Sequence, residues 1–178
     1  PFKYDWALSF SEGLAEVKLD GKQGFIDKTG KEVVPFKYDR ARPFSEGFAQ
    51  VQLNGKWFYI DKTGKEVTPI KYDKAYSFFE GLAKVELDGK HGFIDKTGKE
   101  VTPIKYDKAD SFSEGLARVY LDEKWGYIDK TGKQVVSIKY DWADLFSEGL
   151  VKVGLARKYG FVDKTGKEVI SLKYDDAD

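Results

Sequence analysis

Apolar and polar residues alternate along short stretches of this chain. In Leu14-Ala15-Glu16-Val17-Lys18-Leu19, residues Ala15, Val17 and Leu19 share one face while Glu16 and Lys18 share the other, the signature of a half-buried strand. Asp20-Gly21 follows, a pair whose members both accept positive φ, and it predicts a two-residue type I′ turn. A second strand, Lys22 to Asp27, carries Phe25 in its core register. Lys28-Thr29-Gly30 forms a longer turn, in which Asp27 accepts from the local backbone and Gly30 takes the left-handed conformation. A third strand, Glu32-Val33-Val34, is expected to end at Pro35, which cannot donate a ladder bond. From Phe36 to Phe44 an extended connector leads to Ser45-Glu46-Gly47, which turns the chain into the next alternating stretch. No stretch sustains apolar residues at helical spacing.

This unit returns every 34 residues. Lys-Tyr-Asp begins at Lys3, Lys37, Lys71, Lys105, Lys139 and Lys173, and Asp-Lys-Thr-Gly-Lys begins at Asp27, Asp61, Asp95, Asp129 and Asp163. A fixed period of this size marks a repeat architecture in which units stack to bury a shared core. The reading is a single repeat domain over 1–178, with units beginning near Lys3, Lys37, Lys71, Lys105 and Lys139 and a partial sixth from Lys173. The fold class is all-β: tandem repeats of short antiparallel strands forming an open β-solenoid-like array. A closed five-bladed β-propeller is the alternative. Three strands plus a connector fall short of a four-stranded blade. The overhang Phe2-Lys3-Tyr4-Asp5 also duplicates the phase of Leu172-Lys173-Tyr174-Asp175, which a ring would need only once. Aromatics at 34-residue intervals, such as Tyr38, Tyr72 and Tyr106, or Phe44, Phe78 and Phe112, are expected to form buried ladders through the stack.

Some copies deviate. Asp122-Glu123 and Ala156-Arg157 replace Asp20-Gly21, so looser or differently built turns are expected there. Ser137 and Ser171 replace the proline.

Lys124-Trp125-Gly126-Tyr127-Ile128-Asp129, with Ser113-Glu114-Gly115-Leu116-Ala117 before it and Ile138-Lys139-Tyr140-Asp141 after it, resembles the WG (KWG) repeat family, and the resemblance runs along the entire chain. It implies a repeat scaffold of a mainly bacterial family and brings no catalytic residues with it. The naming dipeptide itself varies: the Trp position holds Gln23, Trp57, His91, Trp125 and Tyr159, and Phe58 replaces the glycine once.

Composition narrows the chemistry. Lys plus Arg and Asp plus Glu both number 30, and this balance argues against a nucleic-acid partner. No cysteine and a single histidine, His91, leave no thiolate metal site or repeated nucleophile–base pair, so no cofactor, metal or catalytic residue is assigned. Glu12, Glu46, Glu80, Glu114 and Glu148 recur before glycine. Equivalent carboxylates lack the asymmetry of a glycosidase pair and are expected to cap or pair in their turns. No apolar run is long enough to span a bilayer. The chain starts at Pro1 inside a repeat and contains no Met, like a trimmed segment, so localisation stays unassigned.

Function is therefore sought where copies differ. The face of the first strand expected to point outward carries Glu16, Gln50, Lys84, Arg118 and Lys152, then Lys18, Gln52, Glu86, Tyr120 and Gly154. Trp6, Arg40, Lys74, Lys108 and Trp142 follow the Tyr-Asp pair. The candidate interaction face comprises Trp6, Trp142, Trp57, Trp125, Tyr120, Arg118 and His91. The leading expectation is a non-catalytic scaffold binding a protein partner. Alternatives are a self-associating structural or fibre subunit cut from a longer array, and binding of a carbohydrate or cell-wall glycan through exposed Trp and Tyr.

Overall fold

The computed structural model describes residues 3–69 and 71–175; Pro1 and Phe2 of the overhang lie outside them. Every regular element among the described residues is a β-strand. The first sheet contains β1 (Trp6–Ala7), β2 (Leu14–Leu19), β3 (Lys22–Asp27) and β4 (Glu32–Tyr38) in the order β1-β2-β3-β4. The second contains β5 (Arg40–Ala41), β6 (Phe48–Leu53) and β7 (Lys56–Asp61). The third contains β8 (Lys74–Ala75), β9 (Leu82–Leu87), β10 (Lys90–Asp95) and β11 (Glu100–Tyr106). The fourth is β12 (Lys108–Ala109), β13 (Leu116–Leu121), β14 (Lys124–Asp129) and β15 (Gln134–Tyr140). The fifth is β16 (Trp142–Ala143), β17 (Leu150–Leu155), β18 (Lys158–Asp163) and β19 (Glu168–Tyr174). The chain forms two compact units, Pro1–Gly89 with Ile94–Glu100, and Lys90–Phe93 with Val101–Asp178.

The all-β repeat reading holds, but in four of the five sheets the unit has four strands rather than three and a connector, the second sheet having three among the described residues. The connector supplies both the end of one sheet and the start of the next: β4 runs through Pro35 to Tyr38, and β5 begins two residues later. Pro35 does not end the strand because it sits in a bulge. Phe25 pairs with Val34 and Gln23 with Tyr38, so Pro35, Phe36 and Lys37 together oppose Gly24, and a missing N–H breaks no ladder bond. A four-stranded antiparallel meander is the blade of a β-propeller; the strand-count objection to that alternative therefore falls. The duplicated overhang also takes two forms, because residues 3–5 precede β1 in no strand whereas Leu172–Tyr174 closes β19.

The bulge brings backbone against backbone, and this explains a glycine. A Cβ on Gly24 would lie 2.6 Å from the Val34 carbonyl oxygen, and one on Gly126 would lie 2.7 Å from Ile138 Cα. In the second repeat that glycine is Phe58, whose ring is fully buried. The segment Glu66–Tyr72 has the same seven residues as Glu100–Tyr106; the latter is a strand, whereas the described residues of the former, 66–69 and 71–72, lie in none of the strands. Beside Phe58, pairing shrinks to isolated bridges from Ile60 to Glu66 and from Trp57 to Tyr72.

The turns follow their sequence with one correction. Asp122 and Glu123 have φ of 49° and 61°, and Ala156 and Arg157 have 50° and 62°. Leu121 still pairs with Lys124 and Leu155 with Lys158. These are the same tight left-handed turns as Asp20-Gly21, neither looser nor differently built, because strand register on both sides dictates the geometry. In the longer turn Asp27 accepts from Thr29 N at 2.8 Å, Thr29 Oγ1 at 2.6 Å and Lys31 N at 3.1 Å.

The repeated aromatics are core, as expected from their spacing, but the ring contacts join different positions rather than equivalents. Phe25 meets Phe44 edge-on at 4.8 Å, Tyr59 meets Phe78 at 5.0 Å, Phe93 meets Phe112 at 4.8 Å and Tyr127 meets Phe146 at 4.9 Å. In each pair a ring from the third strand of a sheet receives the phenylalanine that follows the next short strand. The Ser-Glu-Gly carboxylates act across the same joints. Glu12 accepts from Gly47 N at 3.0 Å and pairs with Lys62 at 3.1 Å. They link successive repeats instead of closing their own turns.

Candidate interaction face

The hairpin register assembles the variable positions. Trp6 lies opposite Lys18, and Lys18 opposite Gln23. Lys108 lies opposite Tyr120, Tyr120 opposite Trp125, and Trp125 opposite Tyr140. These sheets thus carry one row across their strands, built from the residue after Tyr-Asp, the second residue before the tight turn and the Trp position, the second residue after it. Positions scattered along the chain become neighbours because a two-residue turn fixes which residues face each other.

In the fourth sheet this row is a stack. Tyr120 and Trp125 rings lie 4.7 Å apart, Lys108 Nζ is 5.3 Å from the Tyr120 ring, and the Arg118 guanidinium covers Trp125 at 4.6 Å. Arg118 is anchored by Asp110 at 2.7 Å and by the Ala143 carbonyl at 2.6 Å. In the fifth sheet the middle member is Gly154. A Cβ there would lie 2.8 Å from the Tyr159 ring; its absence lets Trp142 and Tyr159 meet across the strand at 6.0 Å. Lys152 reaches both rings, at 5.3 and 4.6 Å. Cations over aromatic faces at these distances are attracted by the ring quadrupole.

The first unit differs. Trp57 is buried, with Arg42 over it at 5.5 Å. Glu16, expected to point outward, is only 3% exposed, and Gln50 is fully buried. The alternation of β2 and β6 is real, but their second face lies against protein rather than water. Glu16, Arg42 and Trp57 line a cavity of about 350 Å³ with Gln23, Arg40 and Leu8. Burial pushes the Glu16 carboxyl up to about 7, against the opposing charge of Arg42. Trp6 and Trp142 are the exposed tryptophans, at 36% and 39%, while Trp125, Tyr120, Arg118 and His91 are half-buried. Tyr159, Lys152 and Arg42 belong with the candidate residues: Tyr159 and Lys152 stand among the variable positions of the sequence but outside the candidate face drawn from it, and Arg42 has no such signal; the signal for Tyr159 is its place opposite Gly154 across the turn.

The repeat, the bulge-facing glycine and the aromatic before it coincide with a family model described as WG containing repeat, which matches residues 1–22, 24–57, 57–90, 92–125, 125–156 and 159–178. The chain belongs to the WG-containing repeat family. In this member the glycine of the WG pair is where the bulged strand closes onto its neighbour, and the Trp position is the third member of the variable row. Comparison with curated proteins finds no match. Among solved structures, Kluyveromyces lactis Hsv2 with loop 6CD replaced by a Gly-Ser linker is similar over 91% of this chain and 63% of that one, at 10% identity and a TM-score of 0.50. K. lactis Hsv2 with the complete loop 6CD gives 89% and 58%, at 11% identity and a TM-score of 0.48. The WG chain therefore spans less than two thirds of those structures, and the first likeness concerns fold alone.

Proposed function

We propose that this chain is a non-catalytic scaffold that binds a protein partner through the variable cross-strand rows. The observation that carries the proposal is the pair of aromatic–cation rows in the fourth and fifth sheets, Lys108-Tyr120-Trp125 with Arg118 and Trp142-Tyr159 with Lys152. Large rigid rings beside anchored cations are the residue types that dominate protein interfaces. They stand where copies of the repeat differ, on a backbone that the repeated turns hold in place. The repeated carboxylates Glu12 and Glu114, the obvious catalytic candidates, are engaged with Lys62 and Lys164.

A glycan platform needs open ring faces. Arg42, Arg118 and Lys152 sit over Trp57, Trp125 and Trp142, which favours a protein segment bearing carboxylates and aromatics over a stacked sugar. The test is selection from a displayed peptide library on the folded chain and on a Tyr120→Ala/Trp142→Ala variant. Acidic, aromatic peptides should be enriched on the wild type and lost on the variant. Peptides that bind both equally would overturn the reading.

A further inference from the structure

We infer that the cavity between the first and second sheets is a binding site for a small aromatic carboxylate. The cavity, of about 350 Å³, is lined wholly by residues of the first compact unit, and it opens where the repeat loses its ring. At the joint between the fourth and fifth sheets, Arg118 covers Trp125 at 4.6 Å and reaches the Ala143 carbonyl at 2.6 Å. Glu16, Gln23 and Ala41 hold the same three phases at the joint between the first and second sheets. Gln23 accepts from Ala41 N there, and Gln23 and Glu16 are both smaller than the side chains they replace. The volume that an indole and a guanidinium fill in the later copy is a cavity in the first.

The polar groups of the lining are unmatched as well. In the fourth sheet Arg118 pairs with Asp110 at 2.7 Å, but the residue beside Glu16 in the phase of Asp110 is Leu8, whose side chain brings no charge. The buried Glu16 carboxyl therefore has no hydrogen bond or ion pair among the described residues. Arg42 lies over Trp57, and no hydrogen bond from its guanidinium is seen among the described residues. Stacking occupies a face of the guanidinium and leaves the in-plane N–H fork, which matches a carboxylate in two parallel bonds. Arg40 adds a second cation to the lining. Burial pushes the Glu16 carboxyl up to about 7, against the charge of Arg42, so below that pH it is a neutral donor that repels no anion. Two guanidiniums and a protonated carboxyl, set beside Leu8 and the Trp57 ring, fit a negative charge carried on a flat apolar body. The volume falls within the roughly 300–1,000 Å³ of small-molecule sites. This site is independent of the rows in the fourth and fifth sheets and goes beyond the partner they are proposed to bind.

Isothermal titration of indole-3-acetate into the folded chain tests this. At pH 6 the acid should bind one to one, and indole-3-acetamide, which has the ring without the charge, should bind at least about tenfold more weakly. Affinity for the acid should fall about tenfold between pH 6 and pH 8 as Glu16 loses its proton; Arg40, Arg42 and the ligand keep their charges throughout. Glu16→Gln, which keeps a neutral donor, should retain binding and lose this pH dependence. Gln23→Trp restores the ring of the later copies and should abolish binding. Arg42→Ala, at an exposed position, should weaken binding about tenfold or more while leaving the cavity open. A wild type that binds nothing at pH 6, or that binds acid and amide equally, overturns the proposal. So does undiminished binding by Gln23→Trp or by Arg42→Ala, or a pH dependence that survives Glu16→Gln.

Discussion

Replacing Gly126 with alanine tests whether the close approach of backbones, rather than the tryptophan beside it, is what the WG glycine serves. The new Cβ would stand 2.7 Å from Ile138 Cα and Cγ1 and 2.8 Å from Ile138 N. Two of these three atoms are backbone, so relief requires β15 to move. Forcing an extra carbon into a packed site costs about 1–3 kcal/mol, whereas an unstrained Gly→Ala exchange would stabilise by roughly 0.4–1 kcal/mol. A net loss of about 1–2 kcal/mol follows, or roughly 2–8 °C in Tm at the ~2–4 °C per kcal/mol typical of this chain size. Gly154→Ala is the matched control: its Cβ also meets an atom at 2.8 Å, but that atom belongs to the Tyr159 ring, which can swing aside. Urea denaturation should therefore show a loss under about 1 kcal/mol for Gly154→Ala. Hydrogen exchange should rise across residues 134–140 in Gly126→Ala and remain unchanged there in Gly154→Ala. Equal stability losses, or unchanged exchange in the Gly126 variant, would refute the argument. The second repeat already performs the larger version of this experiment, since beside Phe58 the described residues of the identical heptapeptide keep only isolated bridges.

Further outcomes follow from the same geometry. Phe58→Gly restores the family dipeptide yet empties a fully buried ring site, so calorimetry should show destabilisation, by about 2 kcal/mol or more. Glu123→Gly and Arg157→Gly relieve side chains held at φ of 61° and 62°; each should stabilise by about 0.5–1 kcal/mol in urea titration. The Glu16 carboxyl is raised from 4.5 to about 7 by burial. Between those values the folded state therefore holds a proton that the unfolded state has lost, and stability falls as pH rises from 4.5 to 7. The fall is on the order of 1–3 kcal/mol, and Glu16→Gln, copying Gln50, should abolish it in a pH series of denaturation curves. The Thr-bonded carboxylates Asp27, Asp61, Asp95, Asp129 and Asp163 are all held below 3.8, with the threonine hydroxyl and local amides as the stabilising donors. Their contribution is present above that value and lost as pH falls below it, so tryptophan fluorescence should report a shared acid transition.

Much of this fold was legible in the residues, and the reason is locality. The tight turns, the Asp-Lys-Thr-Gly loop, the alternating strands and the period all depend on groups within a few residues of one another, and each was found where the pattern placed it. The variable positions were also named from sequence, because a repeat makes its own exceptions visible. Tertiary structure decided the rest. Pro35 stops a strand only if its N–H is needed, and a bulge against Gly24 removes that need. The fourth strand was hidden because it is two residues long and lies in the connector, which supplies the end of one sheet and the start of the next. Alternation at Glu16 and Gln50 reports that two faces differ, not which of them meets water; packed protein on the second face reversed that assignment. Even the turns at Glu123 and Arg157 obey their strands over their own residue preferences. Local chemistry is written along the chain, whereas burial depends on which surfaces meet, and that is settled only when the sheets come together.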